Sequence, residues 1–205
     1  MHAAGRVARA LARNLRARCG EHPALSITLP VTRSLTLPAA LLTPPPCVLD
    51  IEASGFGRHS YPIEVGYVLP DGRAACMLVR PMPEWTHWDP LAEQVHGIGR
   101  STLMDHGQAV RDVALALNRD LRGRTVYCDG WAHDYPWLAA LFDAADLRAS
   151  FRLESVSALL DEAHLERLDA ARLAALQDLG LTRHRASNDA RALQRALVQV
   201  GAPGD

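Results

Sequence analysis

Residues 47–53, Cys-Val-Leu-Asp-Ile-Glu-Ala, decide the fold. The stretch is short and apolar, as a buried β-strand should be, yet it carries two acids. Side chains alternate across a strand, so Asp50 and Glu52 share one face while Leu49, Ile51 and Ala53 share the other. Two like charges side by side on a central strand repel each other and lose hydration. A divalent cation offsets both costs, and hard ions such as magnesium and manganese take carboxylate oxygens. The plainer reading is an edge strand whose acids face water, and for Asp-x-Glu taken alone that reading carries more weight.

Moving downstream, residues 62–69 and 74–80 read as two more strands, joined by the hairpin signal Pro70-Asp71-Gly72. Val110, Val113, Leu117 and Leu121 recur at helical spacing and predict a helix over 107–121. Residues 124–128 read as a fourth strand, followed by a helix over 134–145 and a short fifth strand near 151–153. Helices are expected over 155–164 and 166–179, the latter ended by Gly180, and a last one runs from about 187 to 199. Three meandering strands, then strands alternating with helices, predict an α/β fold: a mixed five-stranded sheet with helices on both faces.

Upstream, Thr43-Pro44-Pro45-Pro46 marks a boundary. Residues 1–46 form an N-terminal extension with no assigned role, 47–200 the folded domain and 201–205 a tail. Residues 1–22 are rich in Ala and Arg and suit a short basic helix, while 24–37 alternate like two short strands. A targeting peptide, a flexible arm and a misassigned start codon all remain open for this segment. It holds six arginines against one acid, whereas 47–205 holds sixteen arginines against twenty-two acids, and there is no lysine. An acidic body argues against a protein that grips long duplex electrostatically. It suits a site that holds cations first and lets them meet phosphates. The four cysteines are scattered with no C-x-x-C pair, so neither a disulfide framework nor a zinc site is implied, and a cytoplasmic location is expected. No apolar run approaches membrane-spanning length, so no membrane partner is expected.

Two further acids stand out. Asp134 precedes Leu138, Leu141, Phe142 and Ala145 at spacings that put it on the inward side of its helix. Followed by Tyr135-Pro136 it is also a good helix N-cap, and on this motif alone capping is the stronger reading. Asp189 begins the stripe Leu193, Leu197, Val200, and Ser187 or Asn188 is available to cap that helix instead. His184 lies just before it.

Together these residues resemble the DEDDh 3′→5′ exonuclease superfamily, whose members include the proofreading subunit of bacterial replicative polymerase, ribonuclease T and oligoribonuclease. The resemblance rests on Asp50-Ile51-Glu52-Ala53-Ser54-Gly55-Phe56, Ile63-Glu64-Val65-Gly66, His96-Gly97-Ile98, Asp134-Tyr135-Pro136-Trp137-Leu138 and the H-x-x-x-x-D run from His184 to Asp189. It covers residues 47 to about 200. The middle motif departs from the family pattern, with His133 where an aromatic residue usually precedes the aspartate and Gly130 where an asparagine is common.

The resemblance implies a ribonuclease-H-like fold and hydrolysis at the 3′ ends of single-stranded or short DNA or RNA, releasing nucleoside 5′-monophosphates. It implies two Mg2+ (or Mn2+) ions about 4 Å apart, held by Asp50, Glu52, Asp134 and Asp189, with His184 as general base. Ser54, Gly55, Phe56, His96 and Arg185 are the implied substrate contacts. For Phe56, a wedge against the end bases and plain core packing are evenly matched. Trp85 and Trp88 read as loop anchors ahead of base-stacking residues, and Arg58 and Arg100 as phosphate contacts on loops. A homodimer is compatible with the family. The competing function is a catalytically inactive module on the same fold that binds nucleic acid or protein.

Overall fold

The structure is a computed structural model that describes residues 44–201. The expectations for residues 1–43 and for most of the tail fall outside the described residues. Five strands form one sheet in the order β3-β2-β1-β4-β5. They are β1 (Cys47–Ala53), β2 (Pro62–Val68), β3 (Ala74–Leu78), β4 (Thr125–Cys128) and β5 (Arg152–Ser155). β1 pairs antiparallel with β2 and parallel with β4, and so stands at the centre of the sheet rather than at an edge. The mixed sheet expected from the sequence is present. The hairpin turn lies where predicted, with Gly72 at φ 83° and its N–H donating to the Leu69 carbonyl.

The helices are α1 (Pro90–His96), α2 (Arg100–His106), α3 (Val110–Asp120), α4 (Trp131–Ala144), α5 (Glu162–Asp178) and α6 (Ala186–Val200). The alternation of β1 divides the core. Leu49, Ile51 and Ala53 pack against Val113 and Leu117 of α3 and Leu138 and Leu141 of α4. Val48, on the opposite face, packs against Leu193 and Leu197 of α6. Asp50 and Glu52 have the parity of Val48 and therefore lie on the α6 side.

Several boundaries differ from the sequence reading. α1 and α2 occupy a stretch read as loop: Asp89 caps α1 by accepting from Leu91 N–H, Pro90 opens it, and Gly97 closes it at φ 69°. Each helix is only seven residues long, too short to display a periodic stripe. Residues 79–80 leave β3 because Val79 and Arg80 take Gln108 as a neighbour, which also delays α3 until Val110. The expected helix over 155–164 is a single 3-10 turn, Val156–Ala158, and α5 begins after it with Asp161 as cap.

α4 starts at Trp131, three residues earlier than expected, with Gly130 as its cap. Asp134 is therefore inside the helix and does not cap it. Neither Ser187 nor Asn188 caps α6, whose cap position is Arg185. The α6 N-terminus presses so closely on β2 that a Cβ on Gly66 would fall 2.1 Å from Ser187 N. Only glycine fits there, and this contact sets α6 directly over the β1–β2 pair, where Gly66 faces Asp50.

Candidate metal centre and cleft

Four elements deliver carboxylates to one point. β1 brings Asp50 and Glu52, α4 brings Asp134, α6 brings Asp189, and Asp129 follows the last residue of β4. The acids form two triads that share Asp50. Ligand oxygens of Asp50, Glu52 and Asp189 lie within 4.8 Å of one another, as do those of Asp50, Asp129 and Asp134. Asp134 and Asp189 are each 3% exposed, which no capping or surface role explains.

Burial among like charges makes Asp50, Glu52 and Asp134 hard to ionise. Burial first, then the charges of Asp134 and Glu52, pushes the Asp50 carboxyl well above the usual range. Glu52 is pushed up to about 7 by burial and by Asp189 and Glu64. Asp134 is pushed up to about 8, by burial and then Asp129. One Asp134 oxygen, Oδ2, is buried with no hydrogen-bond partner among the described residues. Acids in such a setting either hold protons or share a cation. The donor set is all carboxylate, which suits a hard divalent ion.

His184 lines the same cleft, at φ 61°, a left-handed conformation that is uncommon outside glycine. Asp189 holds that turn: its Oδ2 accepts the backbone N–H of His184 at 2.6 Å and of Arg185 at 3.2 Å. The cleft of about 490 Å³ runs from the acids past Gly55, Phe56, Leu91, Val95, His96, His133 and Trp137. It has a charged floor and an apolar wall.

The remaining sequence-predicted residues divide. Phe56 is 65% exposed, edge-on to His133 at 5.1 Å and near Trp137 at 5.9 Å, so core packing is excluded. His133 stacks on Trp137 and takes the aromatic place where the motif departed from the family pattern. Gly55, at φ 137°, lets the 87–89 loop approach, since a Cβ would meet Asp89 Cβ at 2.6 Å. Ser54 is buried, its hydroxyl accepting from Tyr61 N–H and paired with His87 Nδ1.

His96 is buried; its Nδ1 accepts the N–H of Ile98 at 3.0 Å. Burial lowers its pKa, so the ring is neutral with its proton on Nε2, which has no partner among the described residues. Arg185 pairs with Glu64 at 2.7 Å. Arg100 is the first residue of α2, not a loop residue, and donates to Tyr61 Oη and the Trp85 carbonyl. Trp85 stacks on Tyr61, and Trp88 donates to Glu93, which makes both loop anchors. Arg58 is exposed.

Three site residues escaped the sequence reading. Asp129 stands one residue beyond β4, a strand-end acid beside β1, the same signal that drew attention to Asp50. Arg172 of α5 bonds both Asp129 and Asp189. It falls on the buried stripe of Leu168, Ala175 and Leu176, and an arginine on such a stripe was the available signal. Glu64 appeared only as part of a motif, although it is fully buried.

The order of strands, the helices on both faces and the acid-floored cleft define a ribonuclease-H-like α/β fold of the exonuclease kind. Solved structures of exonuclease I share it. The enzyme from Methylocaldum szegediense matches with a TM-score of 0.53 and 15% identity over 75% of this chain and 40% of that one. E. coli exonuclease I in complex with a dA16 oligonucleotide matches with a TM-score of 0.53 and 12% identity over the same shares. The chain thus spans about 40% of the length of these neighbours. No family model and no curated protein matches the sequence.

Proposed function

We propose that the protein is a 3′→5′ exonuclease of the DEDDh type, acting on single-stranded or short nucleic acids and releasing nucleoside 5′-monophosphates. The observation that carries this reading is the pair of carboxylate triads sharing Asp50, with His184 beside them on one cleft. Asp50, Glu52 and Asp189 would hold one magnesium or manganese ion, and Asp50 with Asp134 a second. Bound there, such ions supply hydroxide near neutral pH and stabilise the leaving 3′ oxygen.

The chain's own groups do the rest. His184 takes the proton of the attacking water, a general-base role that an imidazole nitrogen can fill. The neutral His96 ring offers its Nε2–H to an oxygen of the terminal nucleotide. Phe56 and the apolar wall receive its base, because every base presents a stackable face. Glu64 withdraws Arg185 from the substrate and fixes the 184–186 backbone instead.

Single-stranded DNA and RNA oligonucleotides labelled at the 5′ end, incubated with magnesium, manganese or EDTA, test the proposal. A ladder shortening from the 3′ end, abolished by EDTA and by Asp50→Ala, is the expected result. A folded protein that shortens neither strand in either metal overturns the exonuclease reading and leaves a binding module on the same fold.

A further inference from the structure

Arg172 is a largely enclosed cation in an unusual place. Its side chain is 17% exposed, its Nε is buried with no partner among the described residues, and apolar α5 residues flank it. A buried guanidinium is costly unless its carboxylates repay the lost hydration. Its two partners belong to different triads. Asp129 lies with Asp50 and Asp134, whereas Asp189 lies with Asp50 and Glu52. One guanidinium therefore spans both groups of acids.

Asp129 is not among the acids that the resemblance carries over, yet its carboxylate oxygen lies within 4.8 Å of those of Asp50 and Asp134. Asp134, whose buried Oδ2 has no partner among the described residues, belongs to the same triad. With Asp129 included, five carboxylates make up the two triads that share Asp50, and two divalent cations plus one guanidinium would neutralise them.

We propose that Asp129 is a further ligand of the cation held by Asp50 and Asp134, and that Arg172 is a fixed counter-cation that sets how tightly the cations bind. The inference rests on the metal-centre reading above. Arg172 keeps Asp129 and Asp189 ordered and near the triads, at the cost of repelling the ions that those acids receive.

Manganese titration of the full chain without substrate, followed by the electron paramagnetic resonance signal of free Mn2+, reads this directly. The unaltered protein is expected to bind two ions. Asp129→Asn should weaken one of them by about tenfold or more and spare the other, the scale seen for groups that tune a metal site. Arg172→Gln and Arg172→Met remove the charge and should tighten binding by about tenfold, the effect of one nearby charge on an ionic equilibrium. Arg172→Lys keeps the charge and should remain near the unaltered affinity. Two neutral variants guard against misfolding of either, and circular dichroism checks each.

Unchanged binding in Asp129→Asn overturns the ligand role and leaves Asp129 as an anchor for Arg172. Weaker binding in the neutral Arg172 variants overturns the counter-cation and makes Arg172 a prop for Asp189. No binding by the unaltered protein overturns the metal centre itself, together with this inference.

Discussion

Glu64 of β2 grips Arg185 and the start of α6 at once. One carboxylate oxygen takes Arg185 Nη2 at 2.7 Å, and the other takes Ala186 N–H at 2.8 Å. Glu64 also sits opposite Glu52 in the β1–β2 register. A buried acid opposite Glu52 thus fixes the turn that presents His184. Glu64→Gln keeps an acceptor for Ala186 but loses the ion pair. Because Arg185 is 48% exposed, the expected loss of stability is only about 1–2 kcal/mol in urea denaturation. The turnover of oligonucleotide should fall further than that loss explains, with manganese affinity little changed. Equal turnover by the variant would show that the turn holds without Glu64.

Gly66→Ala places a methyl group 2.1 Å from Ser187 N, and backbone cannot yield as a side-chain tip can. The α6 N-terminus must lift from β2, at a cost of about 2–3 kcal/mol, and Asp189 must leave Asp50. Denaturation midpoint and manganese affinity should drop together. Gly99→Ala is the control, since its methyl group would come no closer than 3.4 Å to any neighbour.

His184→Ala should reduce turnover about 10²–10⁴-fold, the usual contribution of a positioned general base, while both manganese ions still bind. Asp50→Ala should abolish binding and turnover alike, because both triads contain it. Single-turnover kinetics beside the manganese titration separates the two. Loss of metal from His184→Ala would move that residue from the proton to the ions.

The pH dependence of stability has a definite sign. Glu52 is raised from 4.5 to about 7 and Asp134 from 3.8 to about 8. In both, the folded value exceeds the unfolded one, so the folded state holds these protons more tightly. Their contribution is complete below about pH 4 and lost as pH rises through about 7 to 8. In EDTA the melting temperature should therefore decline from about pH 5 to about pH 8.5 as far as these groups govern it. Manganese binds the ionised form and releases protons, so the melting-temperature rise it causes should grow over the same interval. A rise that stays constant across this range would place the cation elsewhere.

Phe56→Ala should leave stability within about 0.5 kcal/mol, as for exposed positions. It should raise the KM for oligonucleotides, by up to the roughly 1–3 kcal/mol that stacking of one base provides. Calorimetric melting and steady-state kinetics test the two halves. A large loss of stability with unchanged KM would mark Phe56 as a packing residue.

What the sequence made legible follows from periodicity. Asp50 and Glu52 broke an apolar strand, and Asp134 and Asp189 stood on stripes defined by later leucines, so all four could be placed before any coordinates. α1 and α2 were invisible because seven residues make less than two full helical turns beyond the caps. The capping roles read for Asp134, Ser187 and Asn188 failed because helix ends depend on contacts far away in the chain. Gly130 opens α4, and Glu64 on β2 receives the first N–H of α6. Asp129 and Arg172 carried local signals, an acid at a strand end and an arginine on an apolar stripe, but their pairing became visible only when β4 and α5 were brought beside β1.

The two-sided core has a consequence for assembly. Asp134 belongs to the layer made by α3 and α4, and Asp189 to the layer made by α6, on opposite faces of the sheet. A chain emerging during synthesis can dock the first layer long before α6 exists, and then it has only part of its acid set. The complete set of acids is thus a report that both layers have closed, so any chemistry that needs all of them would have to wait for α6 to dock.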